Sequence, residues 1–288
     1  MEATGVYHER LALSLHEAGS YVSLANPGLI LKWLLASALR EVFMLIAQII
    51  DIHAAPDNDH LQRFGQALSW LEQVGPDIMV LSGDLTDGGW DEGYEQIAAQ
   101  LEKQAYPSLL LPGNSDDRSY MRQTWGNERW LPDLPGELLH FSYNAGVISL
   151  AGVDSTVSGQ SYGSLSRRMG WPEKQLGEAD GAPVLLFLHH HVFPSGIPTL
   201  DETICRGLNE FEDLIRRYPD RILAVSSGHG HRPVAGNFAG IPANICGSVC
   251  PANPLWFGSA SVPPVRENPM LMIHRYDQGK ISSHHVCT

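Results

Sequence analysis

The sequence predicts an α/β protein of layered construction. Three observations carry this. Short apolar runs alternate with segments of helical periodicity from about residue 44 onward. The apolar runs end in Gly, Asp, Asn or His rather than fading into polar loops. At 288 residues with 43% apolar content the chain is long enough to bury a sizeable core.

Taken in order, "MLIAQIID" (44–51) reads as a first buried strand and "HLQRFGQALSWLEQV" (60–74) as a helix, its apolar residues three and four apart. "DIMVLSGD" (77–84) is a second strand, "EGYEQIAAQLEKQ" (92–104) a second helix and "PSLLLPGN" (107–114) a third strand. "GVISLAGVDS" (146–155) and "PVLLFLHHH" (183–191) follow as strands, "DETICRGLNEFEDLIRRY" (201–218) as a helix and "RILAVSSGHGH" (221–231) as a strand. "PMLMIHRYDQGKISSHHV" predicts a C-terminal hairpin turning at Asp277-Gln278-Gly279. No internal repeat is evident.

Composition narrows the function. The formal charge is −13 with no basic run, which argues against general nucleic-acid or anionic-membrane binding. "GLILKWLLASAL" (28–39) is too short to span a bilayer, and Arg40 and Glu41 interrupt it. No secretory signal is visible, so a soluble, cytoplasmic protein is expected. Cys205, Cys246, Cys250 and Cys287 have no paired zinc-ribbon spacing and read as scattered reduced thiols.

Five motifs end five strands: "DIH" (51–53), "GDLTD" (83–87), "GNSDD" (113–117), "HHH" (189–191) and "GHGH" (228–231). Ligand sites of α/β sheets gather at the carboxyl ends of strands, so residues distant in sequence would meet in one crevice. Oxygen and nitrogen donors without thiolate suit manganese, iron or zinc. Singly, each motif has an ordinary reading: an Asp after a strand is commonly a turn residue or helix cap, and a lone His at a strand end is commonly hydrogen-bonded structure. Coincidence at five strand ends is improbable.

In this order the motifs resemble the calcineurin-like metallophosphoesterase superfamily, closest to its class III cyclic-nucleotide and glycerophosphodiester phosphodiesterases. "AQIIDIH", "VLSGDLTDGG", "LLLPGNSDD", "VDSTVSGQSYG", "LLFLHHHVFPSGI" and "SSGHGHRPVAGNFAGIP" carry the likeness. The resemblance implies an αββα sandwich over residues 44–288 and two divalent metal ions (manganese, iron, zinc or cobalt). Asp51, His53 and His231 would hold one ion, Asn114, His189 and His229 the other, and Asp84 would bridge them. His190 is the alternative to His189 as ligand. The implied activity is hydrolysis of a small phosphodiester (a cyclic nucleotide, glycerophosphodiester or similar) by a metal-bound hydroxide. The alternatives are a phosphomonoesterase or nucleotidase of the same fold, and a degenerate phosphoesterase serving as a binding scaffold.

Asp84, Asn114, Ser115 and His190 are the expected catalytic residues, with Asn114, Ser115 and His191 contacting substrate. Ser115 departs from the family pattern, which has a His there near the leaving group, and His191 stands where a Pro is usual. Asp87 is expected beside the metal ligands rather than among them, and Asp116 and Asp117 are expected to cap the next helix. Family likeness also puts the substrate wall at residues 159–166, 192–198 and 246–256, and gives the segment after Gly240 a part in subunit pairing, hence a homo-oligomer, dimer or larger. Residues 1–27 resemble a fragment of bacterial insertion-element transposases without its catalytic carboxylates. Residues 1–43 are therefore expected to be an N-terminal extension outside the catalytic domain; the alternative is an ordinary helix packed on it.

Overall fold

The computed structural model describes residues 43–131, 138–178 and 181–288. The expectations for residues 1–43 thus fall, Phe43 aside, outside the described residues.

The first sheet is built on three short parallel strands, β1 (Met44–Ile49), β2 (Ile78–Leu81) and β3 (Ser108–Leu110). All four residues of β2 are buried, which is why it reads as a continuous apolar run rather than an alternating one. The C-terminal hairpin extends the sheet on the other side of β1. Its first strand pairs antiparallel with β1, giving the order hairpin outer strand, hairpin inner strand, β1, β2, β3. The hairpin turns through Gln278 and Gly279, both at positive φ (47° and 81°), the geometry that suits the right-handed strand twist.

The second sheet has six strands, all of which precede that hairpin in the chain: β4 (Phe141–Asn144), β5 (Ser149–Gly152), β6 (Val184–Phe187), β7 (Ile222–Ser227), and β8 (Val234–Phe238) and β9 (Ile241–Ile245), which are joined by a tight turn. They lie in the order β4-β5-β6-β7-β9-β8. The hairpin strands are then β10 (Met270–Asp277) and β11 (Lys280–Cys287).

Apolar residues of both sheets, among them Ile46, Leu271 and Ile273 from the first and Leu150, Leu185, Phe187 and Ala224 from the second, share one buried cluster. A polar pin crosses it. Gln48 of β1 accepts a hydrogen bond from the Ser226 hydroxyl of β7, donates to the Ser82 hydroxyl (2.8 Å) and meets His274 of β10 at 3.2 Å.

Helix α1 (His60–Val74) buries Phe64, Ala67, Leu68 and Leu71 and stops at Gly75, in the left-handed region. Helix α2 (Asp91–Leu101) buries Tyr94, Ile97 and Leu101, and α3 (Arg118–Trp125) buries Met121 and Trp125; all belong to the same cluster as the first sheet. The outer face of the second sheet has its own core, in which Val184, Leu186 and Val225 meet Leu176 of α4 (Gly170–Glu178). The two sheets and their helices form the αββα layers the sequence predicts.

One element differs. The helix expected over 201–218 is a single turn, α5 (Pro198–Asp201), and a separate α6 (Leu208–Arg217). Gly207 sits at φ 72°, and the intervening chain is drawn sideways: Cys205 N–H donates to the His191 carbonyl, and Arg206 bridges to Ser164. Helix α6 itself buries Phe211, Leu214 and Ile215 at helical spacing. Strands β4, β8 and β9 and helix α4 were not resolved by periodicity. Among the described residues no helix is long and apolar enough to cross a membrane.

Candidate metal centre

Every one of the five motifs begins just past the carboxyl end of a strand: β1, β2 and β3 in the first sheet, β6 and β7 in the second. The two sheets therefore present their strand ends to a common edge, and the motif side chains converge there.

The convergence centres on Asp84. Its Oδ2 lies 3.3 Å from His53 Nε2 and 3.3 Å from His189 Nε2. On one side, His53 Nε2 and His231 Nε2 face each other at 3.0 Å, with Asp51 Oδ1 4.0 Å from His231 Nε2. On the other, Asn114 Oδ1 is 3.2 Å from His189 Nε2, and His189, His190 and His229 bring ring nitrogens within 4.8 Å of one another. Donors bound at about 2.1 Å to a common ion lie roughly 3.0–3.4 Å apart, so these spacings fit cations between them.

Two further observations support that fit. Asp51 Oδ1 and His229 Nδ1 are buried without a hydrogen-bond partner among the described residues, an expensive arrangement unless a cation completes it. Asp51, His53, Asp84, His229 and His231 all adopt left-handed backbone conformations, φ 49–65°. Each costs of order 1–3 kcal/mol, and such strain clusters at functional sites.

The outward ring nitrogens are held in the way that metal-ligating histidines require. His53 Nδ1 donates to Asp87 Oδ1 (2.6 Å) and His189 Nδ1 to the Ser82 carbonyl (3.1 Å). His229 Nε2 is 2.7 Å from the Thr203 hydroxyl, and His231 Nδ1 is 3.2 Å from Cys250 Sγ. Asp87 thus stands behind a candidate ligand, as expected. Thr203 and Cys250 escaped the sequence reading. No motif marks Thr203, and the four thiols, all free, carry no spacing signal.

The electrostatics follow. Burial works against the Asp84 charge, yet His189 and His53 hold its carboxyl well below the usual range. Burial raises the Asp51 carboxyl, with His231 and His189 opposing. Burial likewise opposes protonation of His53 and His189, but Asp84 and Asp87 push His53 up to about 11 and Asp84 pushes His189 up to about 9. Binding of cations here would displace protons.

Glycines let the loops meet. A Cβ on Gly113 would fall 2.2 Å from Asp84 Oδ1, and one on Gly83 would fall 2.5 Å from the Gly113 nitrogen and 2.6 Å from His189 Nδ1. The "GD" and "GN" loops pack glycine to glycine, which is the physical reason each motif opens with Gly.

Four expectations need correction or relocation. Ser115 does not turn outward: its hydroxyl lies 3.0 Å from Asp84 Oδ1 and 2.8 Å from the Thr86 carbonyl, and its backbone N–H donates to the same Asp84 oxygen at 2.8 Å. A serine side chain is too short to pass the carboxylate beside it and grasps it instead. Asp117 caps α3 through Ser119 and Tyr120 N–H, but Asp116 is no cap. It accepts from Gly113 and Leu85 N–H and from the Tyr94 hydroxyl, tying the second and third motif loops together. His191 is fully buried, 3.6 Å from Asp201, and lies outside the groups of converging donors. His190 is also fully buried, its Nδ1 2.9 Å from the Ser155 hydroxyl.

Comparison with known proteins gives the family and the fold. The family description "calcineurin-like phosphoesterase" matches residues 44–233. A probable glycerophosphodiester phosphodiesterase GpdQ of Arcobacter nitrofigilis is 32% identical over 159 residues, 54% of this chain and 57% of that protein. The match thus spans little more than half of that relative. A probable cyclic nucleotide phosphodiesterase of Synechococcus is 27% identical over 195 residues, covering 65% of this chain and 73% of the relative. Among solved structures, a dimetal phosphatase of Danio rerio superposes with a TM-score of 0.58 at 14% identity, over 83% of this chain and 98% of that one, a likeness of fold.

Proposed function

The chain belongs to the calcineurin-like phosphoesterase family, and on that premise we propose that it hydrolyses small phosphodiesters at a centre for two divalent cations. The observation that carries the reading is the convergence of six N/O donors, three on each side, about Asp84 Oδ2. Asp51, His53 and His231 would hold one ion and Asn114, His189 and His229 the other, with Asp84 between. When bound, such a pair of cations supplies Lewis acidity and the positive charge that draws a phosphate to an acidic protein.

The chain's own residues do the rest. Asp84 fixes the spacing of the two positions, and Ser115 fixes Asp84. With Asn114 Oδ1 turned to His189, its amide NH₂ is the donor for a phosphate oxygen. His189 over His190 as ligand is supported by its Nδ1 bond to Ser82 and its Nε2 facing Asp84. Burial beside His189 and His229 pushes the His190 imidazole far down, so it stays neutral and offers little as a proton donor. With the Ser115 hydroxyl occupied as well, the enzyme should favour esters whose leaving group departs without a proton. The diester reading draws on the relatives named as glycerophosphodiester and cyclic nucleotide phosphodiesterases.

The test is turnover by protein reconstituted with manganese, zinc or cobalt. Bis(p-nitrophenyl) phosphate should be hydrolysed faster than p-nitrophenyl phosphate, and Asp84→Ala should lose both ions and activity. A faster monoester identifies a phosphomonoesterase. Metal binding without turnover of either ester identifies a binding scaffold.

A further inference from the structure

A cavity of about 560 Å³ is lined by Arg118, His140, Thr156, Arg167, Arg168 and Trp171 among others. Two short connections tie it to the donor cluster. Arg118 follows Asn114 by four residues, and Thr156 follows Ser155, whose hydroxyl contacts His190.

Its charge is unlike the rest of the chain. Three guanidinium groups, those of Arg118, Arg167 and Arg168, line it in a protein of net charge −13, and the first and last of them meet the buried carboxylate of Asp154. Arg118 donates through Nε and Nη2 to Asp154 and Thr156, which leaves Nη1 without an acceptor among the described residues. Arg168 spends Nη1 and Nη2 on the carbonyls of Asp154 and Thr156, which leaves Nε without an acceptor among the described residues. The Arg167 guanidinium makes no hydrogen bond or ion pair among the described residues, and Arg167 is held at φ 60° by a bond from its N–H to Glu210. Trp171 Nε1, in the wall behind, is buried without an acceptor among the described residues. His140 takes the Asp154 N–H on Nδ1, so its proton is on Nε2, a further donor. Among the described residues the side chains lining this cavity thus offer unsatisfied donors and positive charge; Asp154 is already enclosed by Arg118 and Arg168, and the Glu210 carboxylate is bonded to the Arg167 N–H. An uncompensated set of this kind fits an anion.

We propose that this cavity is a subsite for a second anionic group, a phosphate or carboxylate carried on one ester arm of the substrate. The inference rests on the phosphodiesterase reading and narrows it: diesters with an acid-ended arm are preferred over those ending in a methyl or a quaternary ammonium group. Asp154 acts as a positioning residue that clamps two of the arginines in place, and Arg167 supplies the free charge.

The experiment compares matched ligands on manganese-reconstituted protein: ethyl n-alkyl phosphates and ethyl ω-carboxyalkyl phosphates, with arms of three to six carbons. Affinity is read from the ligand-induced rise in thermal midpoint, while turnover of bis(p-nitrophenyl) phosphate is followed separately. At the best arm length the carboxylate ligand should bind about 10- to 100-fold tighter than its methyl-ended partner. Arg167→Asn, which suits a left-handed backbone, should cut that ratio several-fold, and Arg167→Asp should abolish it. Replacing carboxylate by phosphate on the same arm should preserve the preference. Equal affinities at every arm length, or a ratio untouched in Arg167→Asp, overturns the subsite whether or not the nitrophenyl ester turns over. Absence of that turnover refutes the phosphodiesterase reading by itself.

Discussion

Replacing Ser115 by Ala should weaken metal binding while leaving the fold intact. Asp84 Oδ1 accepts two hydrogen bonds from this residue, from the backbone N–H at 2.8 Å and from the hydroxyl at 3.0 Å; Oδ2 is the oxygen that faces His53 and His189. Ser115→Ala keeps the first bond and removes the second. A hydrogen bond to a charged group contributes about 1.5–3 kcal/mol. The single hydroxyl proton is shared with the Thr86 carbonyl, which brings the effect to the lower end of that range or just below it, about 1–2 kcal/mol, or about 5- to 30-fold in affinity. The carboxylate touches both candidate positions, so both ions should be affected. Competition with a chromophoric chelator measures the affinities, and urea unfolding of the metal-free protein checks the fold. Ser115→Thr, which retains the hydroxyl, should restore most of the loss. Affinities in Ser115→Ala within twofold of the parent, or a Thr variant as weak as the Ala one, would refute the argument.

Other outcomes follow from the same geometry. Thr203→Val removes the partner of His229 Nε2 and should weaken one ion about 10- to 100-fold more than the other, which stoichiometry at limiting metal reveals. Gly113→Ala would drive a Cβ to 2.2 Å from Asp84 Oδ1; it should abolish binding of both ions, and a variant with two tightly bound ions contradicts the packing described. Chelation should lower the thermal midpoint, since ions that bind only the folded chain stabilise it. Burial, with Arg168 and Arg118 adding to it and Asp154 opposing, lowers His140 to about 4. The unfolded chain then binds the proton first, so stability present above pH 6.5 is lost as pH falls from 6.5 to 4, by about 3 kcal/mol from this group. Burial brings His274 to about 3, and it acts in the same direction over an overlapping window. In urea titrations His140→Gln should lose part of that pH dependence, and an unchanged profile would exclude the assignment.

Much of this protein was determined by the sequence alone. Buried parallel strands are short apolar runs, and helices α1 and α2 keep a three-four spacing because one face of each packs on a sheet. Donor-rich motifs at strand ends mark a site because only strand ends open onto an edge. These are local or periodic signals. The tertiary structure decided the rest, where contacts between distant segments matter. That Ser115 faces inward to Asp84, 31 residues earlier, depends on two loops meeting glycine to glycine. That Asp116 ties loops while its neighbour Asp117 caps a helix is a difference of side-chain direction that two adjacent carboxylates cannot show in sequence. Thr203 and Cys250 reach the centre only because the break before α6 and the loop after β9 fold back over it. The arginine cavity unites residues 118, 140, 156 and 167–171, which no composition or period would group. Such residues are chosen by the space the fold leaves, and that space exists only once the sheets have packed.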